Sequence, residues 1–143
     1  MGTTKNVYEI FDDFEKAQTK DEKIKVLRQN NKPALLGVLR ANFHPNIKFV
    51  FDSIPEYKPD ISPPGLSYTS LDMEINKFYL FEVGNPRVSP QLTQIRKVQL
   101  LQMMLESLEA REAKILEDVL LKKLKVKGLT KNIVLEAFPD LLN

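Results

Sequence analysis

"AREAKILEDVLLKKLKVKGLTKNIVLEAFPDLL", Ala110–Leu142, is the stretch whose reading decides the fold class. Ala113, Leu116, Val119, Leu120 and Leu124 recur at helical spacing and predict a helix over Ala110–Leu124. Gly128 marks the next turn. Thr130 then stands where an N-cap belongs, Val134, Ala137 and Phe138 face inward, and Pro139 stops the second helix.

The same grammar runs back along the chain. Leu92, Ile95, Val98, Leu101, Gln102, Leu105 and Leu108 predict a long helix opened by Ser89-Pro90, an N-cap followed by a first-turn proline. Met103 and Met104 within it read as core filler. Thr69 or Ser70 starts a helix through Leu71, Ile75, Phe78 and Tyr79 that ends near Gly84. Pro33 opens another, with Leu35, Leu36, Leu39 and Phe43 as its apolar stripe and Pro45 as its end. Gly37 inside that helix costs about 1 kcal/mol against alanine, which predicts a close backbone approach. Thr19 with Glu22 forms a capping box ahead of Ile24 and Leu27. Asn6 with Glu9 opens the first helix, with Val7, Ile10, Phe11, Phe14 and Ala17 inward.

Only Asn46–Tyr68 resists this reading. Ile47, Phe49 and Phe51 alternate like a short strand that has nothing to pair with. Pro55, Pro59, Pro63 and Pro64 stiffen the adjoining chain into an extended loop over about 52–69. Loops this long within a compact domain are more often functional than decorative. The expectation is one all-α domain over 1–143, with about seven helices and an irregular proline-rich loop at its centre.

Composition narrows the chemistry. The 143 residues, 43% hydrophobic and 28% charged, suit one soluble globular domain with its own core. No apolar run approaches the roughly 20 residues of a membrane span. The start, "MGTTKNVYEIFDDFEK", carries acids and no apolar core, so it does not read as a signal peptide. Gly2 follows Met1, but Asn6 occupies the place where myristoylation wants Ser or Thr. There is no cysteine, and His44 is the one histidine, which removes thiolate and histidine metal sites and a cysteine nucleophile. Beside Pro45, His44 reads as a polar turn residue rather than a catalyst. No Gly-x-Ser-x-Gly, GxGxxG or GxxxxGK[ST] pattern occurs, and Asp12, Asp13 and Glu15 read as the polar face of the first helix rather than a metal cluster. No catalytic residue, metal ligand or cofactor is expected.

Charge is segregated although the net value is only +2. Lys23, Lys25, Arg28, Lys32, Arg40 and Lys48 lie in an acid-free run of 26 residues. Arg87, Arg96 and Lys97 lie in a second acid-free run over Val83–Leu105, and Lys122, Lys123, Lys125, Lys127 and Lys131 form a third. Acids concentrate elsewhere, six over Glu9–Glu22 and five over Glu106–Asp118. Such segregation can build one positive face on a nearly neutral protein. The plainer reading is that bases gather at helix ends to complement the helix dipole.

"TKDEKIKVLRQNNKPALLGVLRANFHPNIKFVF", then "KFYLF", then "LLQMMLESLEAREAKILEDVLLKKLKVKGLTKNIVLEAFPDLL" resembles, in that order, the N-terminal helical DNA-binding domain of phage-type ATP-dependent DNA ligases. The whole chain is also similar to small proteins of tailed phages, marine ones among them. The likeness implies an all-α, pseudo-twofold domain that grips duplex DNA across the minor groove through backbone contacts. It places Lys123 and Lys125 before the turn, Gly128 at the turn glycine, and Thr130 and Lys131 at the start of the phosphate-facing helix. Lysine stands where those ligases often carry arginine, and the lysine-x-Asp-Gly nucleotidyltransferase motif is absent, so ligation is not implied.

The expected function is therefore non-catalytic binding of duplex DNA, nicked duplex included, with little sequence specificity, in the host cytoplasm as an accessory to phage DNA metabolism. The residues expected to carry it are Lys122, Lys123, Lys125, Lys127, Gly128, Thr130, Lys131, Arg40 and Lys48. Basic turns at the ends of "LGVLRANFHPNIKF" and "LEDVLLKKLKVKGL" would straddle the duplex. The alternative is a protein-binding adaptor that meets a phage or host replication, repair or transcription protein through its acidic segments and the loop bearing Tyr57 and Tyr68.

Overall fold

A computed structural model describes residues 5–63 and 65–143. Pro64 and the Met1-Gly2 pair lie outside the described residues. Among those described, the chain forms seven α-helices: α1 (Val7–Lys16), α2 (Lys20–Gln29), α3 (Pro33–Phe43), α4 (Leu71–Glu74), α5 (Gln94–Ser107), α6 (Ala110–Leu120) and α7 (Lys131–Ala137). A 3₁₀ helix, Ile75–Phe81, continues α4, and no strand longer than an isolated bridge occurs among the described residues.

The caps explain where most helices start. The Asn6 amide donates to Glu9 Oε1 at 3.1 Å, and Thr19 Oγ1 accepts from the Glu22 amide at 3.1 Å. Glu22 reaches back to the Gln18 amide rather than to Thr19, at 3.0 Å. Ser70, the second of the two candidates, caps α4 by accepting from the Met73 amide. Three boundaries differ from the expectation. α5 begins after Thr93, whose hydroxyl accepts from the Arg96 amide at 3.1 Å, while Ser89 holds only a turn through the amides of Gln91 and Leu92. Thr93 offers the cap oxygen without a proline, so the apolar spacing at Leu92 and Ile95 proves coincidental, and Ile95 is 74% exposed. α6 stops at Leu120, four residues early, where Lys122 turns the backbone left-handed. After Glu74 the turn tightens, because a period of three stacks Ile75, Phe78 and Phe81 on one inward side.

Helix α1 packs on α2 and α6, α2 on α7, α3 on α6, on α4 and on the 3₁₀ helix, and α5 on α6. Phe14, Phe81, Leu27, Leu35, Leu39, Leu71, Leu101, Leu105 and Leu116 are fully buried in one continuous core. Each such side chain contributes about 1.5–3 kcal/mol relative to exposure. Met104 joins this core; Met103, 58% exposed, does not. What fills the space at Gly37 is not the expected backbone but the side chain of Ile75, whose Cδ1 would lie 2.3 Å from an added Cβ.

The alternating segment finds a partner after all. Phe49 bridges Glu82 in antiparallel sense, with the Val50 amide on the Phe81 carbonyl at 2.8 Å and the Val83 amide on the Lys48 carbonyl at 2.7 Å. Phe51 thereby meets Phe81, ring centroids 5.3 Å apart. The proline-rich loop is strapped along α5 and α6 rather than left free. Gln94 and Gln102 donate to the carbonyls of Val50 and Glu56, both at 3.0 Å, Glu106 accepts from the Lys58 amide at 2.9 Å, and Tyr57 donates to Glu117.

Candidate nucleic-acid interface

Helix α6 ends in a Schellman arrangement built on a lysine. Lys122 takes the left-handed conformation, φ 55°, that glycine usually fills at this place. Its amide bonds the Val119 carbonyl at 3.0 Å, and the Lys123 amide bonds the Asp118 carbonyl at 2.7 Å. What holds a lysine there is its side chain. Nζ donates to the carbonyl of His44, the C-cap of α3, at 2.5 Å and to that of Ile47, beyond the following turn, at 2.6 Å. Burial, with Lys48 nearby, pulls its ammonium below the usual lysine range. The Asn42 side chain completes the dock by accepting from the Leu124 amide at 3.0 Å.

Lys122 is therefore set apart from the other DNA-facing candidates: two of its three donors are spent on the protein's own backbone. His44, expected as a polar turn residue, is the buried C-cap of α3, and its Nδ1 accepts from the Asn46 amide at 3.1 Å.

The chain next turns at Val126–Leu129. The Leu129 amide closes on the Val126 carbonyl at 3.0 Å, with Gly128 at φ +84° in the third position, as a type II turn requires. Lys23 lies against Gly128, its Cε 3.4 Å from the place a Cβ would take. Thr130 caps α7 by accepting from the Ile133 amide at 3.3 Å, and Lys131 begins the helix exposed to solvent. Lys123, Lys125 and Lys127 are exposed along the same stretch.

Acids border part of this block. The Lys127 amide donates to Glu15 Oε2 at 2.8 Å, and Lys125 lines a shallow cleft that also holds Asp12, Glu15 and Asp118. Lys48 lies near Lys122, next to the paired segment, whereas Arg40 stands apart in a separate cleft with Arg87.

Half of the acid-free run over Lys23–Lys48 also has structural work. Lys23 donates to the Phe14 carbonyl at 2.9 Å, and Arg28 donates to the carbonyls of Glu136 and Ala137 at the end of α7. Lys32 pairs with Asp72 at 3.1 Å. Helix-end complementarity thus accounts for several bases that the charge pattern singled out. Six ion pairs occur among the described residues, at Lys5, Lys20, Lys32, Lys77, Arg111 and Lys114. None involves Arg40, Lys48, Lys123, Lys125, Lys127 or Lys131. Arg87, absent from the candidates that the sequence suggests, belongs with this unpaired set. Its signal was the glycine- and proline-bounded turn in which it sits, "GNPRVSP".

No group of three or more metal-ligating side chains gathers among the described residues, and no described helix is long and apolar enough to cross a membrane. Fold and site together define an all-α protein with a lysine-bearing turn after α6 and with Lys48 beyond the turn that ends α3. Residues 10–126 match DUF6433, a family of unknown function, and the chain belongs to that family. The match ends just before the Gly128 turn and α7. No curated protein matches the sequence.

Proposed function

We propose that this protein is a non-catalytic binder of duplex DNA that holds the phosphate backbone with little sequence preference, as an accessory to phage DNA metabolism. One observation carries the reading: Arg40, Lys48, Lys123, Lys125, Lys127 and Lys131 are exposed and form no ion pair among the described residues, and four of them crowd into Lys123–Lys131. Unpaired lysines on turns can meet phosphates and release counterions without reading base edges. Glu15 and Asp118 beside Lys125 limit the affinity, so binding belongs to low salt.

The test is an anisotropy titration of the full chain against intact duplex, nicked duplex and single strand at two salt concentrations. If about six phosphates are engaged, log affinity falls with log salt at a slope near −5. Reversing charge at Lys123, Lys125 and Lys131 should weaken binding equally on all sequences. An absence of duplex binding at low salt refutes the proposal.

A second reading, an adaptor for a protein partner, has its own support in the central loop. Ile61, Leu66 and Tyr68 are 97%, 69% and 94% exposed on a segment otherwise strapped to the body. Large apolar side chains this exposed on one loop are candidates for a protein contact. Capture of a partner from infected cells by the wild-type chain, lost with Leu66→Asp and Tyr68→Asp together, is the outcome this reading requires.

A further inference from the structure

Between α3, the 3₁₀ helix and the turn after it lies a cleft with a volume of about 500 Å³. That is within the range of about 300–1,000 Å³ typical of small-molecule sites. Two guanidinium groups face it from different elements, Arg40 on α3 and Arg87 on the turn. Arg87 is placed with some care. Its amide donates to Asn85 Oδ1 at 2.9 Å, and its guanidinium lies over the Tyr79 ring, 4.3 Å from the centroid. Stacking fixes the plane of the fork and leaves its N–H edges free, with no hydrogen bond from the side chain among the described residues.

The one carboxylate lining the cleft among the described residues is Glu82. It neutralises neither arginine, forming no ion pair, and instead accepts from Asn85 Nδ2 at 3.3 Å. Phe49 and Ile75 supply apolar wall. Two open forks ask for an oxyanion with several acceptors; an apolar wall beside a carboxylate and amides asks for a flat ring with N–H donors.

We propose that this cleft binds a phosphate-bearing ligand of mononucleotide size, its phosphate between Arg40 and Arg87 and its base against Phe49 and Ile75 with Glu82 and Asn76 at its edge. The same chemistry is offered by a free nucleotide and by the 5′-phosphorylated end of a strand. The site shares Arg40 with the duplex reading but does not rest on it, since Arg87, Tyr79 and Glu82 are not among the residues that the duplex proposal names.

The experiment is a calorimetric and NMR titration of the full chain with dAMP, with inorganic phosphate, and with a trinucleotide carrying or lacking a 5′-phosphate. Expected is dAMP or the 5′-phosphorylated strand binding at least about tenfold more tightly than inorganic phosphate, with resonances of Tyr79 and Asn85 shifted. Which of the two wins identifies the source of the ligand. Arg87→Ala should weaken binding about tenfold or more, and Arg87→Lys, which keeps charge but loses the fork, by an intermediate amount. The Lys123, Lys125 and Lys131 charge reversals should leave it unchanged, which separates this site from duplex binding. No binding by any of the nucleotides overturns the proposal. So does inorganic phosphate binding as tightly as dAMP, or an Arg87→Lys protein of unchanged melting temperature with undiminished affinity.

Discussion

At Lys122 a member of a lysine run spends its donors on the protein's own backbone. The helix would otherwise end on a glycine, and the two carbonyl contacts compensate the left-handed backbone of a side-chain-bearing residue. Lys122→Ala keeps that backbone and loses both bonds, so stability should fall by about 1–3 kcal/mol, read as a lower urea midpoint with unchanged slope. Duplex affinity should stay the same; a clear loss of binding in a stable Lys122→Ala protein would return this lysine to the DNA face. Glu112 makes a different residue-scale argument. It is 3% exposed, and burial pushes its carboxyl up from about 4.5 to about 6, against the opposing Leu71 amide at 3.1 Å. Glu109 and Asp72 push the same way and Lys32 opposes them. The folded state therefore holds this proton more tightly than the unfolded chain, and stability should decline as pH rises from about 4.5 to about 6. Glu112→Gln can still accept from Leu71 and should remove that decline, raising stability at pH 7 by up to about 2 kcal/mol. Urea titrations at pH 4.5 and 7 check the sign.

Among the elements, α3 and the 3₁₀ helix meet through the gap left by Gly37. An added methyl would stand 2.3 and 2.4 Å from two carbons of the branched, stiff Ile75 side chain. Gly37→Ala should therefore destabilise by about 1–3 kcal/mol despite a gain of about 1 kcal/mol in helix propensity. Ile75→Ala alone leaves a gap, and the double variant should recover part of the loss, an interaction that a double-mutant cycle of melting curves measures. If Gly37→Ala were neutral, the close approach would be absent in solution. The strapped loop is the other element-scale finding. Period and propensity leave 52–69 without assigned contacts, because Gln94, Gln102, Glu106 and Glu117 look like ordinary solvent-facing positions on helices. Only when the loop lies along them do their hydrogen bonds appear. Tyr57→Phe should loosen this strap and speed limited proteolysis within the loop, with little effect on the global melting temperature.

Across the whole molecule, charge is the property on which sequence and structure part most. A stretch such as Lys23–Lys48 looks like one face when written in a line. Folded, Lys23, Arg28 and Lys32 turn to helix ends and an acid, while Arg40 and Lys48 remain unpaired. The uniform loss of duplex affinity on reversing Lys123, Lys125 and Lys131 is thus a prediction about the residues that folding left over. Helix content, the Thr19 and Thr130 caps and the inward leucines were determined by the sequence alone, since caps and periodicity act within one or two turns of chain. The Phe49–Glu82 pairing, the Lys122 dock and the cleft of Arg40 with Arg87 were decided only by tertiary structure. Each joins residues more than thirty positions apart, and a hydrogen-bonding or charged group carries no mark of its distant partner until packing brings the two together.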